Sequence, residues 1–243
     1  DHVSNTAVQI ELMEAIGAPQ AIFGHFSLML SASGEGLSKR AGSQGVRDIR
    51  AAGLEPMSLT SLLARLGSAD AVEAAPDMET LIKDFDMDRL GRAPARFDNE
   101  DLHRLNALIL RDMPYEKIET RLAEMGASGD SLPEFWNCIR GNITLFADVG
   151  AMMDLVYGAI VPQIEEADYI AQALATLPLA PLTQSSWRDW TQALKEQTGR
   201  KGRDLFMPLR LALTGQAHGP EMKDLLPLIG YQKSVLRLEG KKG

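Results

Sequence analysis

Near the N-terminus, hydrophobic positions first recur at helical spacing and then form a continuous apolar run. Val8, Leu12 and Ile16 lie four residues apart on one helical face, and Gly17 ends this predicted helix. The next stretch, AIFGHFSLML over residues 21–30, is short, apolar and rich in aromatic residues. We therefore expect a buried strand there.

From residue 46 onward the pattern is almost entirely helical. Asp98 is a predicted helix cap, and Gly141 and Gly150 interrupt the apolar stretch over residues 131–160. The predicted helices, separated by Gly and Pro, are 46–52, 58–66, 78–85, 98–110, one opening at Pro114, the interrupted stretch 131–160, 167–175, and four within 185–240.

Composition indicates an ordinary soluble globular protein. The 243 residues suffice for two or three domains, with 45% apolar and 24% charged residues. No apolar run approaches the ~20 residues that span a bilayer. A single cysteine, Cys138, excludes an internal disulfide, and the four histidines lack metal-site spacing. We therefore predict no metal site and a reducing, cytoplasmic location.

Charge is distributed unevenly along the chain. The net charge is −8, yet residues 191–243 hold ten Lys or Arg and five Asp or Glu, a net +5, which leaves −13 on the rest. This asymmetry is expected of an acidic body with a polyanion-binding end. A solvated basic face is the alternative interpretation.

The loop GEGLSKRAGSQG, residues 34–45, directly follows the predicted strand. One interpretation is a solvated surface turn rich in glycine. The other is a phosphate site, in which backbone N–H groups, a hydroxyl and the Lys39–Arg40 pair hold polyphosphate oxygens. The usual GxxxxGK[ST] spacing is absent, so local chemistry leaves both open.

Four motifs, in this order, resemble those of bacterial glutamyl-tRNA synthetase, a class I aminoacyl-tRNA synthetase. DHVSNT (1–6) is similar to the family's D-H-x-x-N-T near the end of its nucleotide-binding fold, and GLSKR (36–40) to its K-L-S-K-R loop. RFDNEDLHRLNALIL (96–110) is similar to the end of the stem-contact region. Residues 198–230, with PLRLALTG, resemble the anticodon-binding C-terminus.

The resemblance implies a mainly α fold in four parts. They are a C-terminal remnant of a Rossmann-like α/β catalytic domain (1–35), a KMSKS-type loop with the stem-contact region (36–113), and two helical anticodon-binding subdomains (114–162 and 163–243). The intact protein is then a glutamate–tRNA ligase that uses ATP, Mg²⁺ and L-glutamate and charges tRNA(Glu). Because the chain starts inside the nucleotide fold, we expect a fragment that is inactive alone and mainly binds the anticodon arm of tRNA. We also expect a monomer with no membrane partner.

By the same resemblance, the loop contacts ATP. Lys39 corresponds to the catalytic lysine, and Ser38, Lys39 and Arg40 to the ATP-binding residues. Gly36 stands where the family has its first loop lysine, so one cation is missing.

Anticodon contacts are implied for Met207, Arg210, Pro220, Met222 and Gly141. Gly141 stands where discriminating relatives have an arginine that reads the third anticodon base, so we hypothesise that the intact enzyme also charges tRNA(Gln). The alternative is that Arg140, one residue earlier, takes the place of that arginine. From chemistry alone, a core position is the alternative interpretation of Met207 and Met222, and it is the commoner one for methionine. Arg210 lies between leucines, where a buried arginine needs a partner.

Three further residues are interpreted as core. Trp187 and Trp190 predict a packing face, and Cys138 lies on an amphipathic helix without a paired base.

Two other classes of function stay open. One is an autonomous tRNA-binding or protein-interaction module without ligase activity, and the other is a purely scaffolding protein. Gly36 and the overall acidity favour these classes. The order of the motifs and the basic C-terminus favour the ligase.

Overall fold

The computed structural model describes residues 2–37 and 45–243. The chain divides into two units, residues 1–109 and 110–243. In the described residues, helices dominate and the only strands are one pair, which confirms the mainly α prediction. None of the described helices is long and apolar enough to cross a membrane.

The first unit places short helices around a two-stranded sheet. Its elements are α1 (Val3–Ala15), β1 (Met29–Ser31), α2 (Val46–Ala51), α3 (Pro56–Arg65), α4 (Met78–Asp84), β2 (Ala95–Phe97) and the start of α5 (Asn99–Asp112).

The strand predicted over residues 21–30 is mostly wrong. Residues 21–28 belong to no helix or strand, and Ile22 and Phe26 are exposed. Only Met29–Ser31 pairs with another strand. An apolar run becomes a strand only where its backbone finds hydrogen-bond partners, and the sequence pattern does not show where those are.

The strands β1 and β2 pair in parallel, with Met29 opposite Ala95 and Ser31 opposite Phe97. The connection between them contains α2, α3 and α4, because parallel strands require a long crossover. A parallel pair with a helical crossover is typical of α/β folds, and both strands end at the same edge of the sheet. Because β2 lies within the predicted range 36–113, the predicted boundary at residue 35 stays a prediction.

Buried polar groups fix the helices of this unit. Asn106, fully buried on α5, accepts a hydrogen bond through Oδ1 from the backbone N–H of Glu55 at 2.7 Å. Asp98 caps α5 as predicted, since its Oδ1 accepts from the backbone N–H of Glu100 at 2.9 Å. The start of α3 and the start of α5 are therefore both held by side chains.

The second unit is entirely helical in its regular structure. It contains the end of α5, then α6 (Glu119–Glu124), α7 (Leu132–Ile139), α8 (Val149–Tyr157), α9 (Ala167–Ala175), α10 (Gln184–Thr198), α11 (Arg203–Thr214), α12 (Met222–Ile229) and α13 (Tyr231–Leu238), with short 3₁₀ turns between the earlier helices.

Two glycines of this unit act differently from each other. Gly141 lies in a 3₁₀ turn, Arg140–Asn142, and interrupts the helical run as predicted. Gly150 lies inside α8, so the interruption predicted there is wrong. A helical glycine costs only about 1 kcal/mol relative to alanine, and burial of Val149, Leu155 and Val156 on α8 outweighs that cost.

One hydrophobic core runs through the whole second unit. It joins side chains from residues 110–156 with others from 169–238, including fully buried Trp136. The proposed boundary between two anticodon-binding subdomains, at residues 162 and 163, stays a prediction. Cys138 is buried as expected, and burial raises the pKa of its thiol to about 12.

Two cations of the basic C-terminus are structural. The fully buried Arg237 donates to the carbonyl oxygens of Gly243 and Leu213, both at 2.8 Å, and of Gly158 at 3.2 Å. Lys233 donates to the carbonyl oxygen of Tyr157, at the end of α8. Burial lowers the pKa of both groups, that of Arg237 to about 10. These two charges therefore hold helices together.

Candidate nucleic-acid interface

Three helices of the second unit form a pocket of about 270 Å³. Left-handed glycines end α10 and α11, at Gly199 and Gly215, because φ near +70° strains most residues that carry a Cβ. Both α11 and α12 contact α10. The lining residues are Trp187 from α10, Phe206 and Arg210 from α11, and Glu221 and Met222 at the start of α12.

Aromatic rings form one wall of this pocket. The rings of Trp187 and Phe206 lie 6.1 Å apart at an interplanar angle of 33°. Trp190 supports Trp187 edge-on, with 5.8 Å between centroids, and is itself anchored by its Nε1, which donates to the carbonyl oxygen of Ala173 at 2.9 Å. The packing role expected of both tryptophans therefore holds for Trp190, while Trp187 also faces the pocket.

Arg210 supplies the positive charge. Its Nη2 donates to the carbonyl oxygen of Pro220 at 2.7 Å, whereas its buried Nη1 has no hydrogen-bond acceptor among the described residues. Burial lowers the pKa of Arg210, and the carboxylate of Glu221 raises it. An arginine with an unused N–H group at a pocket is a ready donor for a ligand.

The structure brings together three of the four residues predicted from the C-terminal motif. Arg210 and Met222 line the pocket, and Pro220 accepts from Arg210. Met222 is also buried, which confirms the core interpretation, while its anticodon contact stays a prediction. Met207 is half-buried on α11 and does not line the pocket.

Gly141 lies outside this pocket. It is exposed, and a Cβ built on it would meet no described atom within 4 Å. Its neighbour Arg140 donates to the carbonyl oxygen of Met113 at 3.2 Å. Position 141 therefore has open space for a long side chain but presents none.

The basic stretch before α11 is only partly available to phosphate. Arg200 pairs with Glu166 at 2.5 Å and lies over the ring of Tyr169, 4.1 Å from its centroid. Its hydrogen bond holds the pKa of the Glu166 carboxyl below its usual value. Lys201 and Arg203 are exposed.

The predicted ATP-binding residues Ser38, Lys39 and Arg40 lie outside the described residues. Within the described residues, a concavity of about 740 Å³ lies at the carboxyl ends of β1 and β2, and its lining includes Ser31 and Phe97. In α/β folds this edge of the sheet commonly faces a ligand. Among residues 2–37 and 45–243, no group of three or more His, Cys, Asp or Glu side chains can hold a metal ion.

Sequence reasoning missed Phe206, Glu221 and the pocket role of Trp187. The motif indicated Arg210. The two aromatic rings meet only because α10 packs against α11. No spacing within one helix indicates a contact between two helices.

Two protein families match the chain. The family described as "Anticodon binding domain" matches residues 115–241. The family described as "tRNA synthetases class I (E and Q), catalytic domain" matches residues 1–104.

Curated relatives agree with both matches. A protein of Maricaulis maris named "Glutamate--tRNA ligase 1" is 51% identical over 241 residues, covering 99% of this chain and 54% of the relative. A protein of the same name from Brucella ovis is 45% identical over 241 residues, covering 98% and 53%. Because the anticodon-binding family matches more than half of the chain, the chain belongs to that family. It spans about half the length of the curated relatives it matches.

Solved structures show the same fold. The crystal structure of a glutamate–tRNA synthetase from Elizabethkingia anophelis matches with a TM-score of 0.76 at 26% identity, covering 96% of this chain and 53% of that one. A glutamate–tRNA ligase from Elizabethkingia meningosepticum, solved with its amino acid, gives a TM-score of 0.78 at 24% identity over 98% and 54%. The predicted remnant of a synthetase fold followed by anticodon-binding helices is confirmed.

Proposed function

We propose that this chain is part of a glutamate–tRNA ligase and that residues 110–243 bind the anticodon arm of tRNA(Glu). The unused N–H group of Arg210, beside an aromatic-lined pocket, carries the proposal. Unstacked anticodon bases are bound by stacking on such rings and by arginine hydrogen bonds. Arg210 lies within the segment that matches the anticodon-binding family.

Binding of a tRNA(Glu) transcript to the whole chain tests this function. We expect a dissociation constant in the micromolar range or below. The logarithm of the association constant should fall linearly with the logarithm of the salt concentration, since phosphate contacts release counterions. Arg210→Ala should weaken binding at least about tenfold, the discrimination typical of one good arginine contact. Arg111→Ala, which removes an exposed cation of α5, is the control. Equal effects of both substitutions, or binding insensitive to salt, would contradict the proposal.

For the whole protein we propose glutamate activation with ATP. The glutamate carboxylate attacks the α-phosphate, the bond to the β-phosphate breaks, and pyrophosphate leaves with glutamyl-adenylate formed. Negative charge moves to the leaving group, so a cation there stabilises the transition state more than the ground state. We assign this role to Lys39, with Ser38 and Arg40 binding phosphate beside it, and Mg²⁺ as a cofactor of the whole enzyme.

Pyrophosphate exchange by the whole enzyme tests Lys39. We expect Lys39→Ala to lower kcat by about 10²–10³-fold, the usual loss when one charge-stabilising donor is removed. Lys83→Ala on α4 is the matched control. An unchanged kcat in Lys39→Ala would remove the lysine from the mechanism.

We further propose that the whole enzyme also charges tRNA(Gln). Glutamate and glutamine anticodons differ only in their third base, and position 141 presents no side chain to read it. Aminoacylation of purified tRNA(Glu) and tRNA(Gln) measures this, and we expect Gly141→Arg to restore preference for tRNA(Glu). Strict preference in the unsubstituted enzyme would refute the idea. We further propose that the enzyme is cytoplasmic and monomeric. Analytical sedimentation of the whole enzyme would test the oligomeric state.

A further inference from the structure

Residues 241–243, which we call the strap, turn back along α13. The backbone N–H of Lys241 donates to the carbonyl oxygen of Leu236 at 2.9 Å. The side chains of Lys241 and Lys242 are exposed, whereas Gly243 is buried. Only the third residue of the strap therefore reaches the interior of the second unit.

Gly243 joins α13 to the linker, which is the segment 158–166 between α8 and α9. Its carbonyl oxygen accepts from the backbone N–H of Ile160 at 3.2 Å and from Nε of the buried Arg237 at 2.8 Å. Ile160 in turn packs against the hydrophobic core. The strap therefore closes over the first part of the linker and holds an apolar residue in place.

The second part of the linker is held separately, by α11. The backbone N–H of Gln163 donates to the carbonyl oxygen of Leu211 at 3.1 Å. The linker also passes close to Gly215, where a Cβ would lie 2.9 Å from the carbonyl oxygen of Val161. None of these contacts involves the strap, so opening it would free Ile160 and leave Gln163 bonded.

The closed strap is tightly fitted at one residue and weakly held elsewhere. A Cβ built on Gly243 would lie 2.9 Å from the Cβ of Leu236 and 3.2 Å from the carbonyl oxygen of Lys233, so this position leaves no room for a side chain. The strap itself carries no apolar side chain. Segments with few buried apolar contacts open at a lower free energy than the core does.

We propose that the strap opens and closes as a unit of its own, without unfolding of α10 or α12, and that its opening exposes the N–H of Ile160 to water. The inference goes beyond the proposed function and does not depend on it. The match to the anticodon-binding family covers residues 115–241, so Lys242 and Gly243 lie outside it. The strap is therefore a conformational device that the family match does not assign.

Hydrogen exchange of backbone amides, measured by NMR on the whole chain under native conditions, tests the proposal. The amides of Ile160 and Lys241 should report similar free energies of opening, because one event exposes both. Both should exchange faster than the amide of Leu225 in α12, whose exposure requires the core to open.

Substitution at the buried glycine should shift the strap towards its open form. We expect Gly243→Val to accelerate exchange at Ile160 at least about tenfold, since an extra side chain in a filled site is destabilising. Gln163 and Leu225 should stay within about twofold, because their hydrogen bonds do not involve the strap. Gly243→Ala should act in the same direction with a smaller effect.

Lys242→Val is the matched control, because it places the same side chain one residue earlier, where the strap is exposed. Its exchange rates should stay within about twofold of those of the unsubstituted chain. Unchanged exchange at Ile160 in Gly243→Val would show that the strap does not hold the linker. Equal acceleration at Ile160 and Leu225 would show that the strap opens only with the whole unit, and either result overturns the inference.

Discussion

Helices α1 and α12 carry apolar residues at similar spacing but bury them differently. On α12 the side chains of Met222, Leu225, Leu226 and Ile229 are all buried in the core of the second unit. On α1 no residue is buried, and Val8 and Leu12 are more than half exposed. The difference teaches that periodicity specifies a helix, whereas burial depends on what another part of the protein places against it.

The largest loss of stability should come from truncating a buried leucine of α12. We expect Leu225→Ala to lower the free energy of unfolding by about 2–5 kcal/mol, because it removes buried methyl groups and leaves a cavity. All three tryptophans belong to the second unit, so urea titration followed by tryptophan fluorescence reports on it.

The matched substitution Leu12→Ala removes the same atoms from an exposed site. We expect it to change stability, measured by circular dichroism, by no more than about 0.5 kcal/mol. Losses of similar size in both variants would show that α1 is covered in solution and would break the comparison.

Replacing the buried arginine should have the next largest effect. Arg237→Met removes a guanidinium donor from three carbonyl oxygens, of which that of Gly243 keeps the N–H of Ile160 and that of Gly158 keeps Lys233. We expect a loss of about 2–4 kcal/mol in the same titration. Arg188→Met, at an arginine whose side chain is 79% exposed, should stay within about 0.5 kcal/mol. A small loss at Arg237 would mean that water replaces the guanidinium.

The smallest effect is a dependence on pH in the second unit. Folding raises the pKa of the Cys138 thiol from 9.0 to about 12. Above the lower value the unfolded chain releases a proton that the folded chain keeps, so this stability is complete below pH 9 and is lost as pH rises. We expect the free energy of unfolding to fall by about 1 kcal/mol from about pH 8 to about pH 10.

Cys138→Ala separates this contribution from other titrations. The variant should show a flatter dependence of stability on pH over the same interval, measured by urea titration. An equally steep decline would assign the effect to other groups, of which Tyr169 is one, since burial raises its pKa to about 12.

Helix positions in the second unit could be predicted closely, but contacts between helices could not. Residues 167–175 were expected to be helical, and α9 has those bounds. The resemblance to a family motif also indicated Arg210, Pro220 and Met222. Phe206 and Glu221 were missed because their roles arise from the approach of α11 and α12 to Trp187, which no local pattern encodes.

By itself the sequence determined the helical periodicity, the glycine ends of α10 and α11, the uneven charge and the family motifs. These follow from side-chain spacing and backbone preference, which act over a few residues. Only the tertiary structure decided that residues 21–28 form no strand, that Arg237 is buried, and that Glu221 faces the pocket of Arg210. Each of these depends on partners distant in the chain, because hydrogen bonding and burial are satisfied between elements.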